Sequence, residues 1–109
     1  MTVYVDDARI PATVGRIKAR WSHLFADTQY ELHEFAQSIG LLRSWFQPGR
    51  PVRDKPSRFW HYDVTESKRL EAIRAGAEPV TSRESVAIMN ARDGVARPQA
   101  GTQAGGGAR

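Results

Sequence analysis

Residues 20–40 read RWSHLFADTQYELHEFAQSIG, and this stretch combines a strand with the helix that follows it. Residues 20–27 place Trp, His, Phe and Asp on one face and Ser, Leu and Ala on the other, as a strand does. Thr28 and Glu31 have the spacing of a capping box, and apolar residues then recur at i, i+3, i+4 and i+7 until Gly40 ends the helix. The stretch therefore predicts one strand–turn–helix unit.

A second unit of the same kind occupies residues 59–76, FWHYDVTESKRLEAIRAG. Its aromatic start is typical of a strand at 59–64. Thr65 can then cap a helix that ends at Gly76. Two such units of similar size are what an α/β domain requires.

Shorter elements complete the predicted domain. Strands are predicted at 2–7 and 77–81, residues 41–47 are compatible with a further strand, and a last helix capped by Ser82 is predicted at 82–92. Prolines and glycines predict basic loops at 8–19 and 48–58.

These elements predict a single small α/β domain over residues 2–92, with a mixed sheet of about four strands and two to three helices. Residues 93–109 are rich in Gly, Ala and Gln and have almost no large apolar side chains. Such a segment cannot bury enough surface to offset its ordering entropy, so a disordered C-terminal tail is predicted.

The composition of the chain excludes several kinds of site and several classes of protein. The chain has no cysteine, which excludes disulfides, thiolate zinc sites and cysteine nucleophiles and fits a cytoplasmic protein. We expect neither a membrane helix nor a secretion signal, because no apolar run approaches ~20 residues and the first residues lack a basic and apolar leader. The net charge of +4 favours an anionic partner such as nucleic acid, a nucleotide or phosphate.

Acidic residues follow several predicted strands: Asp6, Asp7, Asp27 and Asp63. If these strands are parallel, their carboxyl ends line the crevice where α/β sheets bind ligands. Converging carboxylates need a cation, so these four residues, with His23, are the predicted ligands of Mg²⁺ or Mn²⁺. The alternative is that each aspartate only caps a helix or closes a turn.

Two histidines lie near these acids. His61 and Asp63 alternate onto one strand face about 7 Å apart, and His23 and Asp27 share a face about 13 Å apart. His61 is the candidate general base, and His61, Asp63 and Asp6 are the predicted catalytic residues. The alternative is that each histidine is only hydrogen-bonded to a neighbour.

Two other segments could contact an anion. Ser67, Lys68 and Arg69 lie in the first turn of the second predicted helix, and since cations are unfavourable there, they suggest a bound phosphate. The alternative is that Lys68 and Arg69 balance neighbouring glutamates. His33, on a surface helix, is predicted to be solvated.

The loop at 48–58 supplies the second segment. It contains Arg50, Arg53, Lys55 and Arg58 and lies near Trp45, Phe46 and Trp60 in the sequence. Basic and aromatic side chains together can bind single-stranded nucleic acid. A solvated basic loop is the alternative.

Several motifs in order resemble one family. VYVDD, HLFADTQYELHEFAQSIGL, WFQ, HYDVTESKR and GAEPVTSRE, spread over about residues 2–84, resemble the family of small bacterial and phage proteins called domain of unknown function 4031. The resemblance implies a compact bacterial or phage domain. It implies no activity, cofactor or catalytic residue.

The residues are compatible with two functions. The first is a divalent-metal-dependent phosphoester hydrolase or transferase, or a protein that binds a phosphate ligand. The second is a non-catalytic accessory module that binds nucleic acid or a protein partner through its basic loops. A purely structural role of the acids and histidines is a third possibility.

Overall fold

A mixed sheet of six strands lies at the centre of the computed structural model, which describes residues 2–50 and 57–92. The strands are β1 (Val3–Val5), β2 (Ile10–Val14), β3 (Ile17–Ala26), β4 (Phe46–Gln47), β5 (His61–Thr65) and β6 (Glu78–Pro79). Within the described residues the helices are α1 (Gln29–Ser38), α2 (Glu66–Arg74) and α3 (Ser82–Ala91), with a 3₁₀ turn at Arg43–Trp45. The predicted α/β class, mixed sheet and three helices are confirmed, and the described sheet has two more strands than predicted.

The strands pair in the order β4-β5-β3-β1-β6, and β2 pairs with β3 outside this path. β3 is antiparallel to β1, β2 and β5, while β1 and β6 are parallel. The sequence argument about acidic residues required parallel strands, and for β1, β3 and β5 that condition is wrong. Side chains from these strands meet through antiparallel register instead.

Residues 8–19, predicted as a loop, form most of a hairpin. Val14 pairs with Ile17 across a two-residue turn, and Gly15 there has φ +62°, which glycine adopts without strain. Pro11 predicts a break in the chain, but an edge strand such as β2 tolerates it because that strand pairs on one side only. The prediction failed because turn chemistry and edge-strand chemistry look alike in sequence.

The helix starts follow the predicted caps with one exception. The hydroxyl of Thr28 accepts the backbone N–H of Glu31, and the hydroxyl of Thr65 accepts that of Lys68. α3 is capped by Thr81 rather than by the predicted Ser82, which is the first helical residue. The cap of α3 therefore lies one residue earlier than predicted, and Thr81 forms a capping box with Glu84.

Apolar side chains fill both faces of the sheet. One cluster includes Leu24 and Ala26 of β3 and packs with residues of α1, α2 and β5. The other contains Phe25 of β3 with Met89 of α3. Because successive strand residues point to opposite faces, His23 lies on the same face as Phe25, toward α3.

Arg92, after α3, ties this helix to the strands. Arg92 is only 7% exposed, and its guanidinium donates to the carbonyl of Ala26 at 2.7 Å and to that of Trp60 at 2.7 Å. It also donates to the carbonyl of Arg58 and lies 3.4 Å from the Trp60 ring centroid. These contacts fix the segment that leads into β5.

Two predictions fall wholly or partly on undescribed residues. The tail at 93–109 and residues 51–56 of the predicted basic loop lie outside the described part of the chain. Among the described residues, no helix has the length and apolar character needed to cross a membrane.

Replacing Arg92 tests the role of these contacts. Arg92→Met leaves buried carbonyls without their donor, so we expect the free energy of unfolding to fall by at least about 2 kcal/mol. Arg83→Met changes an exposed arginine of α3 and should cost less than about 0.5 kcal/mol. Urea unfolding followed by tryptophan fluorescence measures both, and an equal loss in the two variants would contradict the proposed clamp.

Candidate functional site

The pairing of β3 with β5 sets His23 directly opposite Asp63. Residues opposite each other in a sheet share a face, and His61 lies two residues before Asp63 on that same face. One ring nitrogen of each histidine and one carboxylate oxygen of Asp63 all lie within 4.8 Å of one another. We call these three residues the His–His–Asp cluster.

The two histidine rings are held by acceptors behind them. Nδ1 of His61 lies 2.7 Å from the carbonyl oxygen of Phe59, so Nδ1 carries the proton and donates it. Nε2 of His61 lies 3.2 Å from a carboxylate oxygen of Asp63 and donates to it, so Nε2 would release this proton on binding a metal ion. Nδ1 of His23 lies 2.7 Å from Oδ2 of Asp6, which likewise makes Nε2 the nitrogen available to the cluster.

Asp6 is buried behind His23, with only 1% of its surface exposed. Its Oδ1 accepts the backbone N–H groups of His23 at 2.9 Å and Ala8 at 3.1 Å. Its main-chain carbonyl accepts a hydrogen bond from Nε of Arg69 at 2.8 Å. The hydroxyl of Ser85 lies 3.5 Å from Oδ2. Both oxygens of the Asp6 carboxylate are therefore used in hydrogen bonds, and one of these bonds orients the His23 ring.

Hydrogen bonds shift the pKa values of Asp6, His23 and Asp63 in the directions that favour their charged forms. Burial acts to raise the pKa of Asp6, but the hydrogen bonds from His23 and Ala8 outweigh it and lower that pKa. The hydrogen bond to Asp6 raises the pKa of His23 against the effect of burial. The hydrogen bond from His61 lowers the pKa of Asp63, again against burial. Both carboxylates are therefore ionised at neutral pH and favour a cation nearby.

Asp7 and Asp27, two of the predicted metal ligands, lie outside the cluster. Asp7 accepts hydrogen bonds from the backbone N–H and the hydroxyl of Ser82, at 2.9 and 3.2 Å, and so binds the start of α3. Asp27 accepts the Tyr4 hydroxyl at 3.0 Å and the Thr2 N–H at 3.2 Å, at the other end of β1. Asp7 therefore helps to cap α3, whereas Asp27 bonds to β1 and caps no helix, since the cap of α1 is Thr28.

The predicted phosphate residues are engaged elsewhere. Lys68 donates to the carbonyl of Ile39 and pairs with Glu71 at 3.0 Å. Arg69 is buried. Its guanidinium donates to the main-chain carbonyl of Asp6 and lies 3.6 Å from a carboxylate oxygen of Glu66. Ser67 is exposed beside Thr65. Both cations thus have glutamate partners, as the alternative for this segment held.

His33 is half-buried, so the prediction that it is solvated is wrong. Nδ1 of His33 lies 2.9 Å from the Tyr62 hydroxyl, and its ring packs edge-on to Phe46 at 4.6 Å. Its Nε2 is buried without a hydrogen-bond partner among the described residues. Burial lowers the pKa of His33, so the ring is neutral. Tyr62 alternates with His61 and Asp63, which places His33 on the opposite face of the sheet from the cluster.

A cleft of about 420 Å³ opens beside the His–His–Asp cluster. Its lining combines polar residues on the sheet with apolar side chains: Asp6, Ala8, Ile10, His23, Phe59, His61, Ser82, Ser85, Val86 and Met89. Of the described residues around it, Arg9 has φ +49°, a left-handed conformation that is uncommon outside glycine and frequent at functional sites. Sequence reasoning missed these walls because they come from segments that are distant in the chain.

Comparison with known proteins gives one match. The family described as "Protein of unknown function (DUF4031)" matches residues 3–92 of the 109-residue chain. No curated protein and no solved structure matches the chain.

The contact of Tyr4 with Asp27 predicts a change of stability at high pH. Burial and the hydrogen bond to Asp27 raise the pKa of Tyr4 from 10.0 to about 12. The folded state therefore holds the phenolic proton more tightly, and this stabilisation is complete below pH 10.0 and lost as the pH rises toward about 12. We expect the wild type to lose more unfolding free energy between pH 9 and 11.5 than Tyr4→Phe does. Denaturant unfolding at the two pH values measures the difference, and equal losses would contradict the contact.

Proposed function

The chain belongs to the DUF4031 family, and since the description of that family assigns no function, a function has to be inferred from the chain's own residues. We propose that it is a metal-dependent enzyme that hydrolyses or transfers phosphoesters. His23, His61 and Asp63 would hold one divalent cation. The observation that carries the proposal is the meeting of two imidazole nitrogens and one carboxylate oxygen within 4.8 Å.

The surroundings of the two histidines support a metal site. Metal-binding histidines usually donate the second ring N–H to a carboxylate or a backbone carbonyl, which fixes the tautomer and the ring. His23 has the carboxylate of Asp6 in this role, and His61 has the carbonyl of Phe59. Three protein ligands leave a position for water or substrate, as catalytic metal sites do.

The donor atoms favour particular metals. With Asp7 and Asp27 elsewhere, the oxygen-rich set expected for Mg²⁺ is replaced by two nitrogens and one oxygen. Imidazole suits first-row transition metals, whereas Mg²⁺ prefers oxygen ligands and its own waters. We therefore propose Zn²⁺ or Mn²⁺ as the ion, with weaker binding of Mg²⁺.

The cleft and the charge of the chain support phosphoester chemistry. A divalent cation lowers the pKa of water and offsets charge on phosphoryl oxygens. In hydrolysis, the water oxygen forms a bond to phosphorus, the ester P–O bond breaks, and the water's proton ends on the leaving oxygen. Asp6 would orient His23. Arg9, which is 48% exposed between the lining residues Ala8 and Ile10, pairs with Glu66 at 3.2 Å and would have to leave that partner to contact the anion.

A second candidate is a non-catalytic nucleic-acid-binding module. The observation that favours it is the β2–β3 hairpin, where Arg16, Lys18 and Arg20 are exposed and residues 8–26 contain no acid. Binding through such a surface would weaken steeply as the salt concentration rises. It would require neither metal nor the His–His–Asp cluster.

Metal binding provides the first test. Adding Zn²⁺ or Mn²⁺ at about 100 times its dissociation constant should stabilise the folded wild type by about 2.7 kcal/mol and raise its melting temperature by several degrees. His61→Gln and Asp63→Asn should lose most of this rise. His33→Gln and Asp27→Asn are matched controls, because both residues lie outside the cluster, and they should retain it. An identical response in all five proteins would contradict the site.

The role of Asp6 and the reaction are tested on the same proteins. Asp6→Asn should weaken metal binding by about 10- to 100-fold in calorimetry, because the orienting carboxylate is lost. Hydrolysis of bis(p-nitrophenyl) phosphate should require the metal, stop on chelation, and fall in His61→Gln but not in His33→Gln. Metal binding without hydrolysis of this or simpler phosphate esters would contradict the enzymatic proposal and leave a metal-binding protein.

A further inference from the structure

We propose that the cleft beside the His–His–Asp cluster binds a nucleotide, with the phosphate at the cluster and the base against the apolar walls. Only the position of the phosphate in this proposal rests on the proposed function. It adds a substrate class that neither the cluster nor the family match supplies. The walls, the size and the charge of the cleft support a nucleotide as its ligand.

The walls expose large apolar side chains from three separate segments. Ile10 of β2 is 50% exposed, Phe59 before β5 is 39% exposed, and Val86 of α3 is 50% exposed. Met89 of α3, which is 6% exposed, lies beneath them. Exposed apolar side chains that converge on a polar floor mark a ligand site more often than a bare surface does.

The size and openness of the walls favour a flat ligand. A volume of about 420 Å³ lies within the ordinary range for small-molecule sites, about 300–1,000 Å³. Half-exposed walls leave one side of the ligand in water, which suits a base with apolar faces and polar edges better than an acyl chain. Ser82 and Ser85 line the α3 wall; Ser85 is buried and donates to the carbonyl of Ser82, and the exposed Ser82 hydroxyl donates to Asp7, so its oxygen can accept from a sugar hydroxyl or a base edge.

Positive charge next to the apolar wall favours an anionic ligand with an aromatic part. The guanidinium of Arg58 lies 4.9 Å from the centroid of the Phe59 ring. A phenyl ring with a guanidinium beside it is a combination on which nucleic-acid bases stack. A neutral aromatic compound would make no use of the cluster, and a cationic ligand would be repelled by the divalent ion proposed there.

The nucleotide could be free or part of a strand. The hairpin that carries Ile10 also carries Arg16, Lys18 and Arg20, which could follow the phosphates of a longer chain. A mononucleotide and a short single-stranded oligonucleotide therefore form two arms of the test. Both contain the same chemical unit at the cleft.

The experiment measures binding to the zinc-loaded wild-type protein by calorimetry. Adenosine monophosphate should bind about tenfold more tightly than glycerol phosphate, which has the same charged group and no base. Adenosine, which has no phosphate, should bind weakly, and its binding should not require the metal. An oligonucleotide that binds more tightly still, with a steep salt dependence, would assign the nucleotide to a strand, and equal affinity would assign it to a free nucleotide.

Variants locate the base. Phe59→Ala should weaken binding of adenosine monophosphate about tenfold and leave glycerol phosphate unchanged. Val86→Ser, on the opposite wall, should act in the same direction. Leu42→Ala is the control, because Leu42 is 56% exposed and does not line the cleft. It should change neither affinity.

Two results would overturn the inference and differ from a failure of the metal site. Equal affinity for adenosine monophosphate and glycerol phosphate would remove the base site while the metal-dependent reaction stands. An equal effect of Phe59→Ala on both esters would do the same. Conversely, metal-independent binding of adenosine that Phe59→Ala weakens would support the base site even if no metal-dependent hydrolysis is found.

Discussion

The site depends on the buried carboxylate of Asp6. It accepts hydrogen bonds from the main chain and the ring of His23, and its own carbonyl is held by Arg69. A buried ionised carboxylate is costly unless it is fully hydrogen-bonded, so these partners must stay in place. Through them, Asp6 joins β1, β3 and α2 at one point and sets the orientation of His23. A change at Asp6 therefore affects both the fold and the imidazole.

Antiparallel register completes the cluster. Because β3 and β5 pair with His23 opposite Asp63, residues 40 positions apart in the sequence share one face at adjacent strands. Alternation along β5 adds His61 and sends Tyr62 to the other face, where it contacts His33. The same strand thus supplies one side of the cluster and part of the core. A slip of one residue in this register would remove Asp63 and His61 from the cluster face.

Local signals predicted most of the helices and the class of fold. Thr28, Thr65 and the glycines that end α1 and α2 act over a few residues, so sequence alone reveals them. Strand direction and register depend on contacts between distant segments, which explains why parallel strands were assumed and the hairpin at residues 8–19 was taken for a loop. Of the candidate site, the sequence predicts Asp6 and Asp63 from their positions at strand ends, and His23 and His61 from strand faces that they share with an aspartate. Their division into a cluster and an orienting carboxylate, and the separation of Asp7, Asp27 and Lys68, required the register.

The most direct test of this account is crystallographic. Crystals of the zinc-saturated protein, measured at the zinc absorption edge, should show one main anomalous peak about 2.0–2.2 Å from Nε2 of His23, Nε2 of His61 and a carboxylate oxygen of Asp63. Asp6 should remain hydrogen-bonded to His23 and outside the coordination shell. A zinc ion bound elsewhere, or bound through only one of the two histidines, would contradict the account.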